Sequence, residues 1–271
     1  MTSNISTTVD AGVAHVRLDR PDKLNALTLP MLRDLADTGR RLSADRSLRA
    51  VILSGEGDSF CAGLDFATVL KRPSSLVLGF VPDPRRGTNV FQESCWVWRR
   101  MPVPVVAAVT GNCLGGGLQI AMGADFRYTT PDARWSVLEA KWGLIPDMSG
   151  IRSLTEQVGL DLAKRLTMTG EIFDGRAAYD YGLASGVADD PHAAAAELVD
   201  TLLTRSPDAL AASKRLFLAA PGASARRVFA RERIEQLRLL FGRNAKVARA
   251  AALTKGAAEP AYHERAGVIP R

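Results

Sequence analysis

The sequence predicts an α/β fold with a helical C-terminal extension, and three observations predict it. Two short apolar, β-rich runs, residues 50–53 and 103–109, each lead into a glycine-bearing turn. The second turn opens into a helix-like run over residues 118–124. From Pro191 onward the chain is rich in alanine and carries regular charges, as a series of helices does. At 271 residues and 46% hydrophobic, the chain can bury a full core. The expected division is a core over residues 1–195 and a helical region over 196–271.

The elements follow in order. Residues 4–9 and 13–18 read as a hairpin around Asp10, Ala11 and Gly12. Thr28 caps a helix through Ser43, with Pro30 in its first turn and Leu32, Leu35, Ala36 and Leu42 near one face. Residues 49–54 form a buried strand. Residues 71–88 carry Pro73, Pro82 and Pro84 and read as a mobile loop over a ligand pocket. A helix over 92–100 stops before Pro102, and strand 103–109 follows. Beyond the glycine turn come helix 118–122 and short strands at 126–128 and 134–137. Residues 138–150 read as irregular. Helices are expected near 151–158 and 161–167, another opens at Asp174, and stretches 192–218 and 223–253 are helical.

Composition excludes several partners. No run is apolar enough to span a bilayer, and residues 2–8 are polar, unlike a secretory leader. Neither a membrane partner nor export is therefore expected. Cys61, Cys95 and Cys113 form no CxxC pair and read as small buried hydrophobes in a reducing cytoplasm. His15, His192 and His263 lack metal-ligand spacing, so no metal is expected. The formal charge is +6. Arg226, Arg227, Arg231, Arg233, Arg238, Arg243, Lys246 and Arg249 carry much of it and read first as a solvated helix face. The functional alternative is attraction of a phosphate-bearing ligand. No nucleic-acid motif accompanies the charge.

The chemistry concentrates at two strand-to-turn junctions. Gly111-Asn112-Cys113-Leu114-Gly115-Gly116-Gly117-Leu118-Gln119 follows one apolar strand, and Ser59-Phe60-Cys61-Ala62-Gly63-Leu64-Asp65 follows the other. Glycine lets backbones approach and leaves N–H groups free at a helix start. Two junctions can each aim one N–H at a single carbonyl oxygen, which enolate chemistry on a thioester requires. The glycine run has neither GxGxxG spacing nor a Walker lysine, so it is no dinucleotide or nucleotide-phosphate loop.

These two stretches, together with residues 20–27 (RPDKLNAL) and 142–147 (WGLIPD), resemble the enoyl-CoA hydratase/isomerase (crotonase) superfamily, in the family's order along the chain. The resemblance implies a spiral of ββα units whose C-terminal helices mediate trimerisation, giving a homotrimer or a dimer of trimers. It implies an acyl-CoA thioester substrate and no cofactor beyond the CoA that the substrate carries. It assigns the oxyanion donors to the backbone N–H groups of Leu64 and Gly116. Ala62, Gly63 and Lys23 match the family's contacts to the adenosine side of CoA. Arg17 and Arg20 read as solvated.

The resemblance also orders the acid–base groups. Hydratases of the family use two glutamates, and the positions here are Gln119 and Glu139. Gln119 cannot ionise, so the two-glutamate activation of water is absent and the residue reads as part of the substrate pocket. Asp147, eight residues beyond Glu139, resembles the aspartate of dienoyl-CoA isomerases and ring-epoxide acyl-CoA isomerases, and that of a chlorobenzoyl-CoA dehalogenase whose other catalytic residues are not matched. The bland alternative makes Asp147 the cap of the helix near Ile151. Trp142 reads as core or as lining of the acyl pocket. The first expectation is thus an isomerase that shifts a double bond, with Glu139 and Asp147 exchanging protons. The alternatives are an enoyl-CoA hydratase with one dominant glutamate and a catalytically silent CoA-binding scaffold.

Overall fold

The chain enters as a hairpin. β1 (Ile5–Asp10) and β2 (Val13–Leu18) pair antiparallel, with Ile5 opposite Leu18 and Asp10 opposite Val13. This is a computed structural model; it describes residues 4–69, 71, 73–254 and 260–267. Thr2 and Ser3 of the polar N-terminal stretch and Arg72 of the expected loop lie outside the described residues.

β2 then pairs parallel with β3 (Ala50–Gly55), and β3 with β4 (Val105–Val109). β3 and β4 read as unbroken apolar runs because both faces are covered. One face packs on the main core and the other on a smaller cluster that includes Ala195 and Val199. The crossover from β2 to β3 is α1 (Leu29–Ala44), capped as expected by Thr28, whose hydroxyl accepts from the Met31 N–H at 3.3 Å. From β3 the chain passes through α2 (Phe66–Val69), α3 (Pro73–Gly79) and α4 (Val90–Arg100) before reaching β4.

α3 corrects the expectation of a loop over 71–88. Proline is tolerated in a first helical turn, so Pro73 opens a helix instead of interrupting one. Only the later part is turn-like, closed by the Asp83 N–H on the Thr88 carbonyl at 2.9 Å.

The glycine junction holds a further short strand, β5 (Asn112–Leu114), which the sequence reading treats as turn. It pairs parallel with β7 (Arg134–Ser136) and forms a second, two-stranded sheet. α5 (Gly116–Ala121) and β6 (Phe126–Thr129) lie between them in sequence. Residues Leu138–Trp142, expected to be irregular, form a 3-10 turn. α6 (Gly150–Gln157), α7 (Leu160–Thr169) and α8 (Gly175–Asp180, capped by Asp174) precede β8 (Gly186–Val187). The large sheet is then complete in the order β1-β2-β3-β4-β6-β8. This mixed α/β architecture is the crotonase fold.

The two expected C-terminal helical stretches are four helices: α9 (Pro191–Leu203), α10 (Pro207–Ala219), α11 (Ala225–Leu240) and α12 (Arg243–Leu253). Ser206 caps α10 and Pro207 cannot extend α9, which accounts for the first break. Residues 195 and 196, where the sequence reading divides the chain, lie inside α9. α11 has no buried residue, and Phe229, Ile234, Leu237, Leu240 and Phe241 stand exposed there. Among the described residues no helix is long and apolar enough to cross a membrane.

Candidate active site

The two junctions lie side by side. The Phe60 N–H bonds the Thr110 carbonyl at 2.8 Å, the Cys61 N–H the Asn112 carbonyl at 2.7 Å, and the Leu114 N–H the Cys61 carbonyl at 3.0 Å. Glycine is what permits this closeness. A Cβ on Gly117 would sit 2.6 Å from the Cys61 carbonyl oxygen. Gly63 takes a φ of 93°, and a Cβ there would meet the Leu114 carbonyl at 3.0 Å and the Gly116 nitrogen at 3.9 Å. Leu64 is bracketed by two other bonds, Leu27 N–H to the Gly63 carbonyl and Asp65 N–H to the Leu27 carbonyl. The N–H groups of Leu64 and Gly116 themselves meet no backbone acceptor among the described residues.

Arg20 fastens this loop from behind. Its guanidinium donates to the Asp65 carboxylate at 2.8 Å and to the Ala26 carbonyl at 3.0 Å. The side chain is largely covered, which corrects the expectation that Arg20 is solvated. Its hydrogen bond holds the Asp65 carboxyl below its ordinary value. Arg17 is the more exposed of the two and pairs with Glu56 at 3.5 Å.

One cavity of about 460 Å³ opens beside the junctions. Ala62, Gly63, Leu64, Gly116, Glu139, Asp147 and Trp142 all line it, so most of the residues singled out in the sequence meet there. Glu139 is carried by the 3-10 turn after β7 and is 9% exposed. Burial raises its carboxyl, against the bonds from its own backbone and from Gln119, and Asp147 adds to the rise. Burial likewise raises the Asp147 carboxyl. Asp147 does not cap α6: the N-cap is Ser149, whose own side chain makes no capping bond.

Two expected residues are placed differently. Gln119 is 1% exposed and lies behind Glu139, not on the cavity wall. Its Oε1 accepts the Met148 N–H at 2.8 Å and the Gly150 N–H at 2.9 Å. Those two bonds fix the amide orientation, so Nε2 points at Glu139 Oε1 and donates at 2.6 Å. Glu139 Oε2 is buried and has no hydrogen-bond partner among the described residues. Lys23 is exposed on the 3-10 turn Pro21–Lys23 and does not line the cavity.

The rest of the wall is apolar and went unnamed in the sequence reading. Phe66 packs on Trp142 with ring centroids 4.8 Å apart, and Phe80 on Phe91 at 4.7 Å. Val69, Leu76, Leu138, Leu144, Ile145 and Met148 also line it. Residues 71–88 and α4 do contribute, through Leu76, Phe80 and Phe91. No local pattern marks Phe80, whereas Phe91 sits on the buried stripe of an amphipathic helix. The three cysteines are free and buried, and burial holds their thiols above the ordinary range.

Comparison with known proteins identifies the family and the fold. A family model described as enoyl-CoA hydratase/isomerase matches residues 8–237. The mitochondrial Delta(3,5)-Delta(2,4)-dienoyl-CoA isomerase of Rattus norvegicus is 33% identical over 216 residues, 77% of this chain and 66% of that protein. The mitochondrial methylglutaconyl-CoA hydratase of Mus musculus is 31% identical over 210 residues, 75% of this chain and 65% of that protein. The chain thus spans slightly less than two thirds of the length of these relatives. A crystal structure of an enoyl-CoA hydratase from Polaromonas sp. JS666 superposes with a TM-score of 0.84 at 27% identity, covering 96% of this chain and 99% of that one.

Proposed function

The chain belongs to the enoyl-CoA hydratase/isomerase family, and on that premise we propose that it is an acyl-CoA isomerase that moves a double bond through a thioester enolate. One observation carries the reading: two carboxylates, Glu139 and Asp147, line the same cavity as Leu64 and Gly116. The thioester oxygen accepts from the N–H groups of Leu64 and Gly116. Each such donor contributes roughly 2.7–4 kcal/mol where negative charge develops. In this proposal Glu139 takes the ionised role: Gln119 donates to its Oε1, which works against the rise that burial causes, and its carboxylate removes a proton from the acyl chain. The C–H electron pair moves into the thioester as an enolate. Asp147, the protonated partner in this proposal, returns a proton further along the chain. One proton leaves and one arrives, so the isomer differs only in the place of its double bond. These steps use only backbone and side chains of the chain, and the CoA enters as part of the substrate.

Gln119 supports isomerisation over hydration. Its amide is committed to Met148, Gly150 and Glu139 and supplies no second carboxylate to activate water. The hydratase reading is kept because a hydratase is among the relatives. Incubating the protein with 3-enoyl-, 2,4-dienoyl-, 3,5-dienoyl- and 2-enoyl-CoA thioesters and resolving the products by mass tests the two. Products of unchanged mass are expected. Water addition to a 2-enoyl-CoA at about 10 per second or more would favour the hydratase, and the absence of both proton exchange and turnover would leave a binding scaffold.

The proposed assembly is a homotrimer or a dimer of trimers, supported by the exposed apolar side chains of α11. Light scattering is expected to give a mass three or six times that of the chain, and a monomer at micromolar concentration would refute it. The buried, unpaired cysteines support a reducing compartment, and we place the protein in the cytoplasm.

A further inference from the structure

A second cavity, of about 320 Å³, lies where the C-terminal helices meet the loop between α1 and β3. It shares no lining residue with the cavity at Glu139. Three features there favour negative charge. α12 starts in it: Gly242, Arg243, Asn244 and Ala245 line the wall, and the N-cap Gly242 offers no side chain to the first-turn N–H groups. Arg265, 3% exposed, reaches the cavity from the C-terminal segment. Its guanidinium donates once to the Asp45 carbonyl at 2.8 Å, but its Nε is buried and has no acceptor among the described residues. Arg46 and Arg243 are exposed on the same wall and form no ion pair among the described residues.

The acidic groups of the wall offset this only in part, with three carboxylates against five guanidiniums. Glu235 is engaged by Arg215 at 2.9 Å and by Arg238 at 3.7 Å. Both oxygens of Asp208 are in use, one accepting from Asn244 at 2.9 Å and the other from the Ala266 N–H at 2.7 Å. Glu264 is exposed to solvent. Three guanidiniums, one of them buried with an unmade hydrogen bond, therefore meet an uncapped helix start. Guanidinium and helix-start N–H groups that meet no carboxylate make charge-assisted hydrogen bonds to an anion.

We propose that this cavity is a binding site for a small phosphate-bearing anion, separate from the acyl-CoA site. Phosphate suits it because its oxygens accept several N–H bonds at once and arginine matches its geometry. The site joins α12 and the C-terminal segment to the loop after α1, so its occupation would hold the helical extension against the core. The proposal does not depend on which acyl-CoA reaction the protein performs.

Calorimetric titration of inorganic phosphate and pyrophosphate into the full chain, against chloride at matched ionic strength, tests it. Saturable binding is expected. Arg243→Ala should weaken it roughly tenfold, in line with the loss of one charged hydrogen-bond donor, and Arg46→Gln should do the same. Both residues are exposed, and Arg46 gives up one bond, from its Nε to the Arg265 carbonyl at 2.8 Å, so both variants should fold. Glu139→Gln should bind phosphate as the wild type does. Three results would each overturn the proposal: no saturable binding beyond chloride, wild-type affinity in both arginine variants, or a loss of CoA affinity in those variants that matches the loss of phosphate affinity.

Discussion

Gln119→Glu is the most informative single change. In the wild type one amide oxygen takes two backbone N–H groups, and the amide nitrogen gives its proton to Glu139 at 2.6 Å. The substitution keeps the acceptor for Met148 and Gly150 but puts an oxygen where the donor stood. Two ionised carboxylates with charge centres about 4 Å apart repel by about 4 kcal/mol at an effective dielectric near 20. At 1.36 kcal/mol per unit, that is about 3 pKa units. The pair titrates as one unit and holds one proton across neutral pH. The two backbone N–H groups keep the introduced carboxylate ionised, so the proton rests on Glu139. The assay is the pH dependence of isomerisation, followed by absorbance of a conjugated dienoyl thioester between about pH 5 and 9. The acid limb of kcat/KM should move up by roughly 2–3 units, with about tenfold lower turnover for each unit below it. Gln119→Met removes the donor without adding charge and should move the limb by about 1–2 units, the worth of one charged hydrogen bond. The same Gln119→Glu variant supplies the missing second carboxylate and should add water to a short 2-enoyl-CoA faster than the wild type. An acid limb that stays in place in both variants would refute the idea that Gln119 sets the protonation of Glu139.

Glu139→Gln and Asp147→Asn should each slow isomerisation by about 10²–10⁴-fold with CoA affinity kept, and the double variant should lose less than the product, as groups that act together do; unchanged turnover in Asp147→Asn would leave Glu139 as the sole proton carrier. The raised Glu139 pKa means that the folded state holds an extra proton between the ordinary carboxyl value and the raised one, so stability falls as pH rises through that window. Glu139→Gln should therefore gain stability to urea near pH 7 and gain none near pH 4. Asp65 has the opposite sign: its lowered pKa gives stability above the ordinary value that is lost as pH falls through the folded one. Arg20→Met should cost roughly 1–3 kcal/mol near pH 7 and progressively less in acid, and an equal cost at every pH in urea unfolding would contradict the ion pair. Phe80→Ala opens the apolar wall beside Phe91 and should raise KM for longer acyl chains more than for short ones, in a chain-length series of substrates.

Much of this site could be read from the chain because its chemistry is local in sequence. Glycine-bearing turns after two apolar strands marked the junctions, and the family's motifs singled out Leu64 and Gly116 there, which the structure brings to one cavity. The first four elements of the large sheet were legible for the same kind of reason. β1 and β2 meet across two turn residues, and β3 and β4 are buried on both faces and so apolar throughout. β5 was not legible, since three residues gain strand character only from pairing with β7 some twenty residues away. α3 was hidden by its own proline, which signals an interruption until its place at a first turn is known.

Gln119 shows the limit most clearly. Its type and position identified a missing carboxylate, which is a statement about what the residue cannot do. What it does depends on the N–H groups of Met148 and Gly150, almost thirty residues further on, whose approach follows only from the path of the chain around Asp147. The same two bonds that orient the amide also hold the turn that carries Asp147. One uncharged side chain therefore sets the acceptor state of Glu139 and the place of Asp147 together. A second carboxylate at that position would still bind the turn, but its charge would hold a proton on Glu139, the group that starts ionised in the proposed exchange.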